Sequence, residues 1–313
     1  MTMNKPNKYI PCSAALLIAF LCFFLASCGD KPAPVATGTN RVGVLIVAHG
    51  SESSTWNGMI ETLAEEVRGT LLQEPEIETV DVAFLTASSP SIADQMRKFD
   101  AAGYDHAIVV PLFLASESSR TNNYFQYLVG IRSQAKALKQ LKNEGFDIYF
   151  PKLRVNLTPS LDEGNLLKKN VLRRVEELQA GDNGEDMAVV LVGYGDQQFG
   201  NQMEVLMENI GRYLKIKTDI DTVAYAFCGD VVDYSGEAVV EVINEVFDME
   251  EEILVVPVLL GVDEMLQTNT IQASINAITI QSKIRYQGDS ILPDPRVNAW
   301  LIEKVGEALE RLR

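Results

Sequence analysis

Only two histidines occur in the 313 residues, and one sits where a histidine can do chemistry. His49 ends an unbroken apolar run, Val42 to Ala48, and is followed by Gly50 and Ser51. Such a run predicts a strand buried on both faces. Its carboxyl end is where open parallel sheets bind ligands. Neutral imidazole there is a metal ligand or a general base. A second run, His106 to Phe113, leads into Ala115-Ser116-Glu117-Ser118-Ser119-Arg120. In that loop Glu117 is a candidate metal ligand or base, and Arg120 a candidate partner for a ligand carboxylate. Ser51 and Ser119 complete the candidate substrate contacts. Asp263 and Glu264 occupy the related loop of the second half, but adjacent side chains often point apart. His106 starts its run, at the wrong end of a sheet for a shared site, and is expected to be structural or exposed. The competing reading of each loop is a solvated polar turn.

Several chemistries are excluded. Two histidines cannot make a three-histidine zinc site. There is no Gly-x-x-x-x-Gly-Lys-Ser/Thr loop, so ATP or another nucleotide has no support. There is no Gly-x-Ser-x-Gly elbow and no Cys-x-x-Cys pair. The net charge of −16 argues against nucleic acid, whose phosphates need clustered Lys and Arg.

The elements that must position these residues alternate regularly. The pattern predicts strands over 42–48, 79–85, 106–113 and 148–155, with helices over 56–73, 90–101, 121–142 and 160–179. Ser89 is the expected cap of the second helix and Pro90 its first turn. After the turn-rich stretch 181–186 the series restarts. Strands are expected over 187–193, 222–227, 253–260 and 284–287, with helices over 199–215, 235–247, 268–281 and 295–312. Alternation of this kind predicts an α/β fold with helices on both faces of parallel sheets. The halves can be overlaid. Val44–Gly50 matches Val189–Gly195, which places Tyr194 at the His49 position. Val109-Val110-Pro111 matches Val255-Val256-Pro257, and Leu157-Thr158-Pro159 matches Leu292-Pro293-Asp294. We read an internal duplication: two doubly wound lobes, 42–180 and 181–313.

The first residues follow a different logic. Lys5 and Lys8 precede an uncharged apolar run, Ile10 to Phe24, shorter than the ~20 residues of a membrane helix. The run fits a signal peptide over 1–27. Leu25-Ala26-Ser27-Cys28 resembles a lipobox, which implies acylation of Cys28 and a tether over 28–41. The expectation is an exported lipoprotein, anchored by lipid at the cell envelope on its periplasmic or outer surface. Cys228 is then the one cysteine of the body, and no intramolecular disulfide can form.

The strand running into His49-Gly50-Ser51 resembles the start of the CbiX-type sirohydrochlorin chelatases. Val109–Leu114 is similar to their second signature, and Gly288–Val297 with the final helix to their closing segment. The resemblance implies a two-lobed class II chelatase. Such a protein inserts cobalt or iron into sirohydrochlorin, on the way to cobalamin or siroheme, without ATP. The divalent metal is then substrate or ligand, the tetrapyrrole is the small-molecule partner, and His49 matches the family's first histidine. Ser119 stands where a second histidine is usual, and Glu117 is the candidate substitute. Tyr194 and Met265 stand at the corresponding places of the second lobe. Three readings are carried forward: a chelatase, a non-catalytic tetrapyrrole- or metal-binding lipoprotein on a chelatase fold, and a scaffold lipoprotein. A homo-oligomer is compatible with each and demanded by none.

Overall fold

The computed structural model describes residues 40–114, 119–182, 184–195, 200–229 and 235–313, with the backbone alone at 119–123 and 200–201. Among the described residues, eight strands form two four-stranded parallel sheets. The first sheet holds β1 (Val42–Ala48), β2 (Ile77–Phe84), β3 (His106–Pro111) and β4 (Arg154–Leu157) in the order β2-β1-β3-β4. The second holds β5 (Met187–Tyr194), β6 (Thr222–Cys228), β7 (Glu252–Val258) and β8 (Ile284–Tyr286) in the order β6-β5-β7-β8. The duplication extends to register. Val47 pairs with Pro111 as Val192 pairs with Pro257, and Ala48 pairs with Phe84 as Gly193 pairs with Phe227.

Period-two alternation divides the apolar residues among three cores. Val42, Val44 and Ile46 of β1, with Val189 and Leu191 of β5, face one shared core. That core is filled from α1 (Ser54–Leu71), α5 (Leu166–Gln179), α6 (Gly200–Lys217) and α10 (Pro295–Glu310). Leu45 and Val47 face outward onto α2 (Ile92–Ala102), α3 (Ser119–Leu128) and α4 (Ala135–Asn143). Val190 and Val192 do the same onto α7 (Glu237–Phe247), α8 (Glu264–Leu266) and α9 (Ala273–Asn276). The lobes also exchange helices. α5 follows β4 but packs on β7 and α6, whereas α10 follows β8 but packs on β3 and α1.

Several expectations are corrected. The single helix over 121–142 is two, α3 and α4, broken at Gly130, whose φ is +80°. A Cβ at Gly130 would lie 2.5 Å from Pro151 Cδ, so the close approach requires glycine. The strand over 148–155 begins only at Arg154, because the Lys152 and Leu153 amides donate to the Asp100 carboxylate instead. Ser91, not Ser89, caps α2, in a capping box with Asp94. Pro90 lies before the helix, its carbonyl accepting from Phe84 N. The helix over 160–179 starts at Leu166. The helical stretch over 268–281 covers 264–276 and contains a π segment, Gln267–Gln272. Finally, Ala107 pairs with Val155 as Ile253 pairs with Ile284, so the counterpart of Leu157 is Tyr286, not Leu292.

Among the described residues, no helix is long and apolar enough to cross a membrane.

Candidate functional site

β1 delivers His49 from a fully buried strand to an exposed place at its carboxyl end. Gly50 then turns the chain at φ +92°, and a Cβ there would sit 2.0 Å from the Thr86 carbonyl oxygen. Only glycine fits between the two strand ends. The histidine is held by the neighbouring loop. Its carbonyl accepts from Thr86 N at 2.8 Å, and its Nδ1 lies 3.3 Å from Thr86 Oγ1, which is also 3.3 Å from the His49 carbonyl. A hydroxyl has one proton. With that proton directed to the carbonyl, Oγ1 receives Nδ1–H, and Nε2 carries the lone pair that can bind a metal or take a proton.

The turn after His49 is locked from α1. Asn57 accepts from Ser51 N at 3.1 Å and donates to Ser51 O at 2.7 Å, while Ser53 caps the helix. Ser51 Oγ reaches the other lobe and donates to Asp263 Oδ2 at 2.6 Å. Asp263 follows the end of β7, and its Oδ1 caps α8 through Met265 N. Its loop is pinned by Gln267, 1% exposed. Gln267 accepts from Asp263 N at 2.9 Å and donates to the carbonyls of Gly261 at 3.2 Å and Asp289 at 3.3 Å. The sequence held no signal for Gln267, a polar residue in a helical stretch. Gly261 lies against the Trp56 ring, where a Cβ would come within 2.9 Å. The lobes therefore touch along one side of the site.

Between them lies a cleft of about 870 Å³, within the ~300–1,000 Å³ of small-molecule sites. Leu112, Phe113 and Leu114 wall one side; Met203, Leu259 and Leu260 wall the other. His49 and Ser51 line it from the first lobe, Tyr194 and Met265 from the second, with Glu52, Asp263 and Glu264 as its acidic groups. Tyr194 ends β5 as His49 follows β1, and its ring fills the space left by the missing Cβ of Gly229.

Of the candidate residues, His49 and Ser51 share the cleft. Ser119 and Arg120 open α3 in the backbone. Glu117 and Cys28 lie outside the described residues. His106 is buried at the amino end of β3, far from the carboxyl ends that form the cleft, with Asn156 Nδ2 3.2 Å from its Nδ1. Burial, aided by Arg154, pushes its pKa below the usual histidine value, as suits a structural imidazole. Among the described residues, no group of three or more His, Cys, Asp or Glu is placed to hold a metal ion.

Two parallel-sheet lobes face each other across a cleft, with the candidate base at a strand's carboxyl end. SirB from Bacillus subtilis with Fe³⁺ superposes with a TM-score of 0.59 at 20% identity, over 86% of this chain and 96% of that one. CbiX, the terminal enzyme for biosynthesis of siroheme in denitrifying bacteria, superposes at 0.52 with 18% identity, over 85% and 99%. The fold is the one these two proteins share. In sequence, residues 43–178 match the CbiX family model. The chain is 34% identical over 74 residues to the sirohydrochlorin cobaltochelatase of Methanopyrus kandleri, covering 24% of this chain and 49% of that protein. It is 31% identical over 96 residues to that of Methanothermobacter thermautotrophicus, covering 31% and 63%. The matched regions thus span about half to two thirds of the length of these relatives.

Proposed function

We propose that this protein inserts a divalent metal, cobalt or iron, into sirohydrochlorin or a close relative of that ring. Metal and ring are both substrates. The observation that carries the reading is His49, presented by a glycine-only turn into an apolar-walled cleft between two chelatase-type lobes. Two relatives of the chain, 34% and 31% identical, are sirohydrochlorin cobaltochelatases.

Insertion must bring a cation in while two pyrrole N–H protons leave. The apolar walls take the ring faces and exclude water. His49 Nε2 holds the incoming metal, then accepts a proton from the ring. Glu117 is the proposed partner of His49 in holding the metal, a role supported by its place in the sequence six residues past Pro111. Ser51, Ser119 and Arg120 are the proposed ring contacts, with Arg120 suited to a carboxylate of the substrate.

The test is the absorbance of sirohydrochlorin mixed with Co²⁺ and protein beginning at Gly29, beside His49→Ala. The expected result is insertion above the spontaneous rate that falls at least about 100-fold in the variant. A shift on binding without insertion would overturn catalysis in favour of a binding protein.

Residues 5–28 further support export and acylation of Cys28. Fatty-acid labelling of the expressed protein that survives Cys28→Ser would overturn that assignment.

A further inference from the structure

We infer that Asp263, from the second lobe, is the base for the second pyrrole proton, so that each lobe provides one proton acceptor. The inference rests on the proposed insertion reaction. One imidazole nitrogen accepts one proton, and two must leave the ring. Asp263 lies in the cleft with His49. Its Oδ2 accepts from Ser51 Oγ at 2.6 Å, and Ser51 is two residues past His49. The two candidate bases are thereby tied to one turn across the lobe boundary. Asp263 stands six residues past Pro257 in the sequence, as Glu117 does past Pro111, so the aligned halves carry a carboxylate at the same sequence position.

Asp263 is also held from behind. Gln267, almost fully buried, accepts from the Asp263 amide and donates to Gly261 O. Gln267 is thus a positioning residue for the loop. Each Asp263 oxygen has one identified hydrogen-bond donor, Met265 N or Ser51 Oγ, and an ionised carboxylate oxygen can accept more than one.

The step balances without redox. One ring N–H proton passes to His49 Nε2, giving imidazolium. The other passes to the Asp263 carboxylate, giving the acid. The electron pairs left on the two nitrogens form bonds to the divalent metal. Both bases then release their protons to water.

The experiment compares initial rates of Co²⁺ insertion by the full chain in detergent for wild type, His49→Ala and Asp263→Asn. Asparagine also caps helices, so α8 keeps its cap. Asp263→Asn is expected to bind the ring with unchanged Kd and to lose about 100-fold or more in kcat. Added acetate is expected to restore part of that rate, which it would not do for a structural loss. If Asp263→Asn unfolds, Asp263→Ser, also a cap, takes its place with the same expectations. A variant within about twofold of wild type, while His49→Ala is inactive, overturns the inference, makes Asp263 a clasp between the lobes and leaves the proposed function standing. Acetate without effect on an impaired variant overturns it too. Wild type that inserts no metal above background overturns the functional reading, and this inference with it.

Discussion

Ser51 and Asp263 are 212 residues apart in the chain and 2.6 Å apart in the fold. Their hydrogen bond joins the turn after His49 to the loop after β7. Ser51 Oγ also accepts from Ser53 N, the cap of α1. Ser51→Ala should therefore lower stability by about 1.5 kcal/mol, since the lost bond involves a carboxylate at a half-buried site. Urea unfolding at neutral pH checks this. No change in midpoint would mean that water replaces the hydroxyl without loss.

Arg174 holds the exchanged helix in place. It belongs to α5 but lies buried against the second lobe, 1% exposed, paired through two nitrogens with Asp289 and donating to Pro257 O at 2.7 Å. Arg174→Met leaves a buried carbonyl unpaired and a carboxylate without its counter-ion. Because Asp289 retains some solvent contact, the expected cost is about 3 kcal/mol, the lower part of the range for breaking a buried pair. Arg174→Lys should recover little, because an ammonium cannot reproduce the planar fork. Denaturant midpoints of both variants decide the matter, and a lysine variant as stable as wild type would sink the argument.

Asp100 predicts a dependence on pH. Burial alone would raise its pKa, but the Tyr149 hydroxyl and the Lys152 and Leu153 amides outweigh that and hold it below the usual carboxylate range. A carboxylate so shifted adds stability that is present above its unfolded pKa of about 3.9. The contribution is lost as pH falls through that value towards the folded pKa. Wild type should exceed Asp100→Asn in stability at pH 6, and the gap should shrink by pH 3. Unfolding curves at the two pH values measure it; a gap that widens on acidification would refute the sign.

The sequence by itself determined the parts whose causes are local. Short continuous Val- and Ile-rich runs suit strands buried on both faces, so the sheets and the place of His49 at a strand end were legible. The repeated Val-Val-Pro carried the duplication as far as the register of Val47 with Pro111 and Val192 with Pro257. Gly50 was legible as a turn, although the 2.0 Å approach to Thr86 that forbids any other residue was not. Tertiary structure alone decided the rest. Asp100 draws the 152–153 amides away from β4, a competition between a carboxylate and a sheet edge that no periodicity records. α5 and α10 cross to opposite lobes because the shared core between the sheets, not the neighbouring strand in sequence, offers their apolar faces burial. Asp263 was visible as a carboxylate in a loop. Its partner Ser51 meets it only once the two lobes have closed against each other, since a hydrogen bond across 212 residues depends on the assembled fold.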